Sequence, residues 1–449
     1  MRKPTSVSFV LLSLTIASWS VASPLSDAVS KLSPGDWVEL TPQGLDDSFT
    51  KTGGNSGIAV GYSDSVKWDP ATGQLFYIGM DHNEADGERF IIYSEAGNTW
   101  TVQPQPAFAA GSGPGDVNHE YDHTAIDSGR RYFYYRYGYS SRSVYRYHID
   151  QKVWTQLPDN DVLEYSQCCG ALEFFPELDG IVWVQAGETI GYGGIFLFTE
   201  ASNQWVRLGA TQTYAMGAYH NFAELDPVSH KLILGGGNGS RDVHALGSDK
   251  SIKTLPQAPI DLGVHQTVAT ADAISGQLLV FTADKEFWTY DAVSEQWAKQ
   301  DASKVPIWTG GYQNEIHGVV AGPVSTYGVN AFVSCEASGC RMYAYKHSPG
   351  EGTPWDGGTG SGASGSGGSS GGGNGGAPSA GGSAMGGASG SGLPDGGPGT
   401  SASPSSDSDG GCGCRTRPGT PALPLTWLTV FAALLLGRRR DEGGSPRPG

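Results

Sequence analysis

Basic residues are scarce in this chain of 449 residues, which has 28 lysines and arginines against 45 aspartates and glutamates. Its net charge is -17, and the body of the chain has no basic stripe, so we expect no nucleic-acid partner. Phosphate-binding glycine loops, nucleophile elbows, HExxH sequences and zinc-ligand spacings are also missing. No motif therefore indicates a catalytic class or a cofactor.

The apolar segment at the start of the chain is short. Two basic residues precede an apolar run over residues 7–17, and small residues at 20–23 form a cleavage site. This order is typical of a secretory signal peptide over residues 1–23. A retained membrane anchor is the alternative, which a run this short disfavours. We expect signal peptidase to produce an exported protein that begins near Pro24.

Only six cysteines are present, and their spacing gives little support for a metal site. Cys335 and Cys340 lie between two strand-like runs, so we expect a disulfide that closes a hairpin in an oxidising compartment. Cys168 and Cys169 are adjacent, which leaves two alternatives: a strained vicinal disulfide or two free buried thiols.

The composition changes sharply near Gly350. Residues 350–411 are mostly Gly, Ser, Ala and Pro, which cannot bury enough surface to fold, so we expect a disordered linker that acts as a tether. Residues 412–440 combine a cysteine pair, a short apolar helix candidate that would enter the membrane, and an arginine cluster. A polar tail follows over residues 441–449.

The order of parts in residues 412–440 closely resembles the MYXO-CTERM sorting signal of myxobacteria and their relatives. The resemblance rests on Cys412 and Cys414, the apolar stretch, and the cluster Arg438, Arg439 and Arg440. It implies cleavage by a membrane protease of the myxosortase type, modification of one of the two cysteines, and anchoring at the cell surface in the outer membrane or envelope. A plain C-terminal membrane anchor is the alternative, and it predicts the same location.

An internal repeat runs through the body of the chain, residues 24–349. An aromatic residue is followed seven positions later by Trp in four places, and the segment between them is rich in turn residues, which predicts a β-hairpin. The tryptophans are 54, 51 and 92 residues apart, so we expect a degenerate copy over residues 243–255. The four pairs are Tyr93 and Trp100, Tyr147 and Trp154, Phe198 and Trp205, and Tyr290 and Trp297.

Four short strands per period of about 50 residues predict an all-β propeller. The outer strands number six, which favours six four-stranded blades; seven blades are the alternative, because residues 41–61 are long enough to hold another hairpin. Residues 36–40 resemble a fourth strand without a preceding hairpin, and residues 341–345 resemble a third strand without a fourth. We expect the N-terminal strand to close the last blade, because closure removes exposed sheet edges.

Two glycine clusters, at residues 193–194 and 235–237, lie in the repeats that contain these hairpins. In this respect the body resembles the kelch-type propellers, whose repeats have a glycine pair before an aromatic-turn-Trp hairpin. The resemblance implies a kelch propeller, a fold that serves both binding proteins and enzymes.

Four histidines stand where the inner strands of four blades are expected to start: His123, His220, His265 and His317. Inner strands line the channel of a propeller, so we expect these imidazoles to converge at one mouth, with Tyr121, Tyr219 and Arg136 nearby. Such a ring is suited to bind a divalent metal or to supply a general base. Histidines that only hydrogen-bond to backbone are the alternative.

Two functions are compatible with these features. A surface-anchored extracellular module that binds or adheres to glycan or protein ligands is favoured, because no catalytic motif is present. The alternative is an extracellular carbohydrate-active enzyme, similar to a polysaccharide lyase, that uses the His and Tyr cluster. The tyrosine-rich segment 132–139 is either a strand buried on both faces or a platform on which sugars stack.

Overall fold

The computed structural model describes residues 23–54, 56–81, 87–109, 120–138, 141–164, 169–186, 193–210, 213–263, 267–307 and 318–352. These residues contain 24 strands, the short helices α1 (Pro24–Val29) and α2 (Leu45–Phe49), and a 3-10 turn (Pro176–Leu178). They belong to the first of two compact units, Met1–Gly367. The second unit, Gly368–Gly449, lies outside the described residues.

The strands form six four-stranded antiparallel sheets, the blades of a propeller. The first blade contains β2 (Lys67–Asp69), β3 (Gln74–Gly79), β4 (Arg89–Ser94) and β5 (Thr99–Val102), and the second contains β6 (Thr124–Asp127), β7 (Tyr132–Arg136), β8 (Val144–His148) and β9 (Val153–Gln156). The third contains β10 (Ala171–Phe175), β11 (Gly180–Ala186), β12 (Gly193–Thr199) and β13 (Gln204–Ala210), and the fourth contains β14 (Asn221–Asp226), β15 (Lys231–Gly236), β16 (Val243–Leu246) and β17 (Ile252–Thr254). The fifth contains β18 (Thr267–Ala271), β19 (Leu278–Thr282), β20 (Phe287–Asp291) and β21 (Gln296–Gln300), and the sixth contains β22 (Val319–Val324), β23 (Val329–Glu336), β24 (Gly339–Tyr345) and β1 (Trp37–Leu40).

The first strands of the blades form the inner ring. Each of them contacts the next around the circle, and β22 contacts β2, which closes the ring. Parallel bridges join the approaches to neighbouring inner strands, as between Asp122 and Ala171. The inner strands therefore run in the same direction along one central channel.

The aromatic-to-tryptophan repeat forms the outer hairpin of four blades, as predicted. In each, the two aromatic residues lie directly opposite each other on neighbouring strands, where cross-strand packing is closest. The degenerate copy forms β16 and β17 without the tryptophan, which is also as predicted. Ring centroids are 5.2 Å apart for Tyr93 and Trp100, 5.1 Å for Tyr147 and Trp154, 5.4 Å for Phe198 and Trp205, and 4.9 Å for Tyr290 and Trp297.

The N-terminal strand closes the sixth blade, which confirms that prediction. β1 pairs with β24, with Trp37 opposite Tyr345, and these two rings stack with centroids 4.4 Å apart. The seven-blade alternative is wrong. The described part of residues 41–61 forms α2 and isolated bridges rather than a hairpin, because Phe49 packs into the first blade, 5.0 Å from Trp100.

The disulfide between Cys335 and Cys340 is present across the β23–β24 hairpin, as predicted. Cys169 is also disulfide-bonded, so the alternative of two free thiols is wrong. Cys168 lies outside the described residues, so the vicinal pairing stays a prediction. The predicted signal peptide except Ser23, nearly all of the linker, and the sorting signal also lie outside them. In the part of the chain that is described, no helix is long and apolar enough to cross a membrane.

Candidate functional site

The two ends of the channel differ in chemistry. We call the end at which the inner strands begin the upper end, and the end at which they finish the lower end. Tyr62, Tyr121, His123, Tyr219 and His220 precede inner strands of three blades and form what we call the upper cluster. Four of its five side chains are buried, and Tyr219 is half-buried.

The rings of the upper cluster contact one another across the blades. The Tyr121 ring lies between two imidazoles, with its centroid 5.0 Å from that of His123 and 5.4 Å from that of His220. His220 also lies 6.5 Å from Tyr62 and 6.4 Å from Tyr219. The structure thus brings together four of the six residues that the sequence placed at the channel mouth. His265 and His317 lie outside the described residues, so a ring of four histidines stays a prediction.

A buried arginine adjoins the upper cluster. Arg136 lies at the end of β7, with its Nη1 atom 2.6 Å from Nε2 of His123 and its guanidinium carbon 4.6 Å from the centroid of the Trp183 ring. A guanidinium only donates hydrogen bonds, so Nε2 of His123 accepts and His123 is the neutral Nδ1–H tautomer. Burial lowers the pKa of Arg136 to about 9, so the guanidinium is still protonated at neutral pH.

Left-handed backbone occurs where the chain approaches the inner strands. Tyr62, Tyr121, Tyr219 and His220 have φ angles of 59°, 49°, 61° and 55°. For residues with a side chain this region costs about 1–3 kcal/mol each and is concentrated at functional sites.

The tyrosine-rich segment, by contrast, is part of the core. Phe133, Tyr134 and Tyr135 on β7 are buried, and the hydroxyl of Tyr135 donates a hydrogen bond of 3.0 Å to the carboxyl group of Glu88. This confirms a strand buried on both faces, and the prediction of a sugar-stacking platform there is wrong. Burial raises the pKa of Glu88 to about 8, so this carboxyl group keeps its proton at neutral pH.

Six buried ionisable side chains line the middle of the channel, and we call them the axial cluster. No sequence motif indicated these six residues. The only signal was a lone acidic residue inside an apolar inner strand, as in Leu172-Glu173-Phe174 and Ala223-Glu224-Leu225. The cluster contains five carboxyl groups and one amine: Asp64, Glu120, Asp122, Glu173, Glu224 and Lys67.

The carboxyl groups of the axial cluster reach across to backbone of other blades. Asp64 accepts a hydrogen bond from the amide of Ala269 at 3.2 Å, and Asp122 accepts one from the amide of Ala223 at 2.9 Å. Glu120 is held by Ser65, whose hydroxyl donates to it at 2.8 Å. Burial, with a smaller effect of Asp122, raises the pKa of Glu120 to about 8.

Lys67 is the single amine of the axial cluster. Its Nζ atom donates a hydrogen bond to Glu173 at 2.6 Å and lies 3.7 Å from Oδ1 of Asp122. Burial alone would lower the pKa of Lys67, but Glu173 and Asp122 raise it above its ordinary value, so the amine is charged. Burial raises the pKa of Asp122 to about 7, although Lys67 opposes the shift.

The described residues contain no group of three or more His, Cys, Asp or Glu side chains arranged to hold a metal ion. The upper cluster offers a neutral imidazole, tyrosine rings and a guanidinium, which suit hydrogen bonding and stacking against a polar ligand. The predicted anchoring residues Cys412, Cys414, Arg438, Arg439 and Arg440 lie outside the described residues.

Comparisons with known proteins do not identify a family for this chain. No protein-family model matches the chain, and no curated protein matches it. Among solved structures, it is similar to a structural genomics protein of unknown function from Bacteroides thetaiotaomicron VPI-5482. The identity is 9%, the TM-score is 0.45, and the match covers 69% of this chain and 76% of that one. A similarity this weak carries no information on function.

Proposed function

We propose that the chain is an exported propeller, anchored at the cell surface, that binds a glycan at the upper end of its channel. The convergence of Tyr62, Tyr121, His123 and His220 from three blades supports this proposal most strongly. Aromatic faces suit sugar rings, and the neighbouring imidazole, amide and guanidinium groups suit sugar hydroxyl and carboxylate groups. Left-handed backbone at Tyr62, Tyr121 and His220 is a conformational cost of the kind that is concentrated at functional sites.

The location belongs to the same proposal. The signal peptide, the long linker and the resemblance to a MYXO-CTERM signal support a propeller held away from the membrane on a tether. The glycine clusters before the hairpins support a kelch-type propeller. Protease added to intact cells is expected to digest the propeller, and recovery of the protein solely from the cytosol would contradict the proposed location.

Substitutions in the upper cluster test the binding site. Tyr121→Phe removes one hydroxyl and His220→Ala removes one imidazole, and each is expected to weaken glycan binding about tenfold or more, because about 1.4 kcal/mol corresponds to a factor of ten. Binding is measured against arrayed acidic and neutral polysaccharides, with thermal melts of each variant. His230→Ala is the matched control, because this histidine is exposed in the turn after β14.

Two outcomes would count against the proposal. Unchanged glycan binding by both variants, with unchanged melting temperatures, would exclude the upper cluster as the binding site. Retention of a protein, but of no polysaccharide, on the immobilised propeller would assign a protein ligand instead.

A polysaccharide lyase is the second candidate, and the position of the Tyr121 ring between two imidazoles favours it. In such a reaction a base removes the proton from C5 of a uronate, the bond from C4 to the glycosidic oxygen breaks, and that oxygen receives a proton. Arg136 would hold the uronate carboxylate. Growth of the ultraviolet absorbance of an unsaturated uronate distinguishes this activity from binding alone.

A further inference from the structure

A cavity of about 150 Å³ opens at the lower end of the channel. Every blade contributes to its wall at equivalent positions, where the inner strand ends and the turn to the second strand begins. A cavity of this volume is large enough for a benzene ring. The wall residues near the opening are Trp68, Pro70, Ile126, Phe174, Leu225 and Pro323.

The inner end of this lower cavity is charged. Lys67, Glu173 and Glu224 of the axial cluster line it, and all three residues are buried. The amine of Lys67 already donates a hydrogen bond to Glu173 and lies close to Asp122. The lower cavity therefore combines apolar walls with two carboxyl groups, those of Glu173 and Glu224, and one amine, that of Lys67.

Glu224 is the carboxyl group of the lower cavity that is left for a ligand. Its Oε2 atom accepts a hydrogen bond of 3.0 Å from the amide of Ala271. Among the described residues, none donates a hydrogen bond to its Oε1 atom, although the side chain is only 5% exposed. Glu224 lines the cavity, and a carboxyl oxygen without a protein donor there suits a charge-assisted hydrogen bond from a cationic ligand.

We propose that the lower cavity is a second ligand site, which takes a small organic ammonium ion with an apolar body. The ammonium group donates to Oε1 of Glu224, and the apolar body packs between Trp68, Phe174 and the opposite wall. An anionic ligand would add charge beside Glu173 and Glu224, and a neutral apolar ligand would leave Glu224 without a donor. The site lies at the opposite end of the inner strands from the upper cluster, so it does not depend on the glycan proposal.

Binding of an ammonium ion must also displace a proton. Burial raises the pKa of Glu224 well above its ordinary range. Lys67 opposes this shift, whereas the nearby carboxyl groups of Asp122 and Glu173 add to it. Asp64 also acts on Glu224 from across the channel. An ammonium ligand therefore competes with a proton for this carboxyl group. Affinity is expected to rise with pH until the ligand loses its own proton.

Calorimetry with three probes of one shape tests this site in the full exported protein. We expect benzylamine to bind, benzyl alcohol to bind about tenfold or more weakly, and benzoate not to bind. Benzylamine binding should release a proton, seen as a dependence of the measured heat on the buffer. Equal affinities for the amine and the alcohol, or no binding of benzylamine, would overturn the proposal.

Two variants locate the site. Glu224→Gln keeps the size of the side chain and removes its charge, and it is expected to weaken benzylamine binding about tenfold or more and to abolish proton release. Glu295→Gln, in an exposed ion pair with Lys253, is the matched control. Ala273→Phe narrows the opening without touching the charged residues, so it keeps the test valid if Glu224→Gln does not fold. Unchanged benzylamine affinity in either folded cavity variant would place the amine elsewhere.

Discussion

At the scale of single residues, Lys67 determines the charge state of the channel. It is the one amine among six buried ionisable groups, and it contacts Glu173 directly. Burial raises the pKa of Glu120 to about 8 and that of Asp122 to about 7, and it also raises the pKa of Glu173. The positive charge of Lys67 offsets the carboxyl groups that are ionised. Its removal would leave those negative charges without a counter-charge in a medium of low polarity.

Lys67→Met should therefore destabilise the protein in a way that depends on pH. We expect a loss of about 3–5 kcal/mol in the free energy of unfolding at pH 8, because Glu173 and Asp122 lose their cation. At pH 5 the loss should be smaller, since those carboxyl groups can take up protons instead. Urea unfolding at the two pH values measures both.

Lys299→Met is the control for this substitution, because Lys299 forms an exposed ion pair with Glu286. Exposed pairs contribute about 0–1 kcal/mol, so the control should change little at either pH. An equal loss at pH 5 and pH 8 for Lys67→Met would contradict the role of Lys67 as the counter-charge.

At the scale of elements, the outer hairpin is the unit that repeats. Its aromatic pair lies across two antiparallel strands, so the seven-residue spacing follows from the length of the connecting turn. What surrounds the tryptophan differs between blades. Trp100 is buried beneath α2, where Phe49 lies 5.0 Å away, whereas Trp297 is only partly buried in the fifth blade.

The same substitution in two hairpins should therefore have different costs. Trp100→Ala is expected to lower the free energy of unfolding by about 3–5 kcal/mol, the usual range for a fully buried large aromatic residue. Trp297→Ala is the matched comparison and should cost about half as much or less, because part of its ring is already in water. Denaturant titrations of both variants measure the difference. Equal losses would mean that α2 adds little to the packing of Trp100.

At the scale of the whole molecule, the propeller has a closed ring and an acidic interior. Closure by β1 supplies the fourth strand of the sixth blade and joins the two ends of the propeller. The interior contains carboxyl groups whose pKa is raised by burial, to about 8 for Glu88 and Glu120 and to about 7 for Asp122. These groups bind protons more tightly in the folded protein than in the unfolded chain.

Stability should consequently fall as the pH rises from about 5 to about 8. The contribution of these carboxyl groups is complete below about pH 4, where the unfolded chain also keeps its protons. This stabilising contribution is lost as the pH rises through the raised pKa values, about 7 for Asp122 and about 8 for Glu88. Melting temperatures across this range are the measurement, and Glu88→Gln and Glu120→Gln should each flatten the decline. A melting temperature that rises towards pH 8 would contradict the prediction.

The fold could be predicted from the sequence because a hairpin is a local structure. The spacing of Tyr93 and Trp100, repeated three more times, depends on a turn and two short strands, all within a dozen residues. The closing strand was also predictable, since residues 36–40 and 341–345 each lacked a partner. The number of blades needed the structure, because residues 41–61 have the length of a hairpin but pack as a cap on Trp100.

The sites depended more on contacts between distant parts of the chain. The positions of Tyr121, His123 and His220 before inner strands, with Arg136 near them, could be predicted, but the contact of His220 with Tyr62 could not. The axial cluster could not be predicted from the sequence, because its members come from different blades and none forms a motif with its neighbours. Their pKa values and the lower cavity arise only when the ring closes and removes water, so long-range packing, rather than local pattern, creates this chemistry.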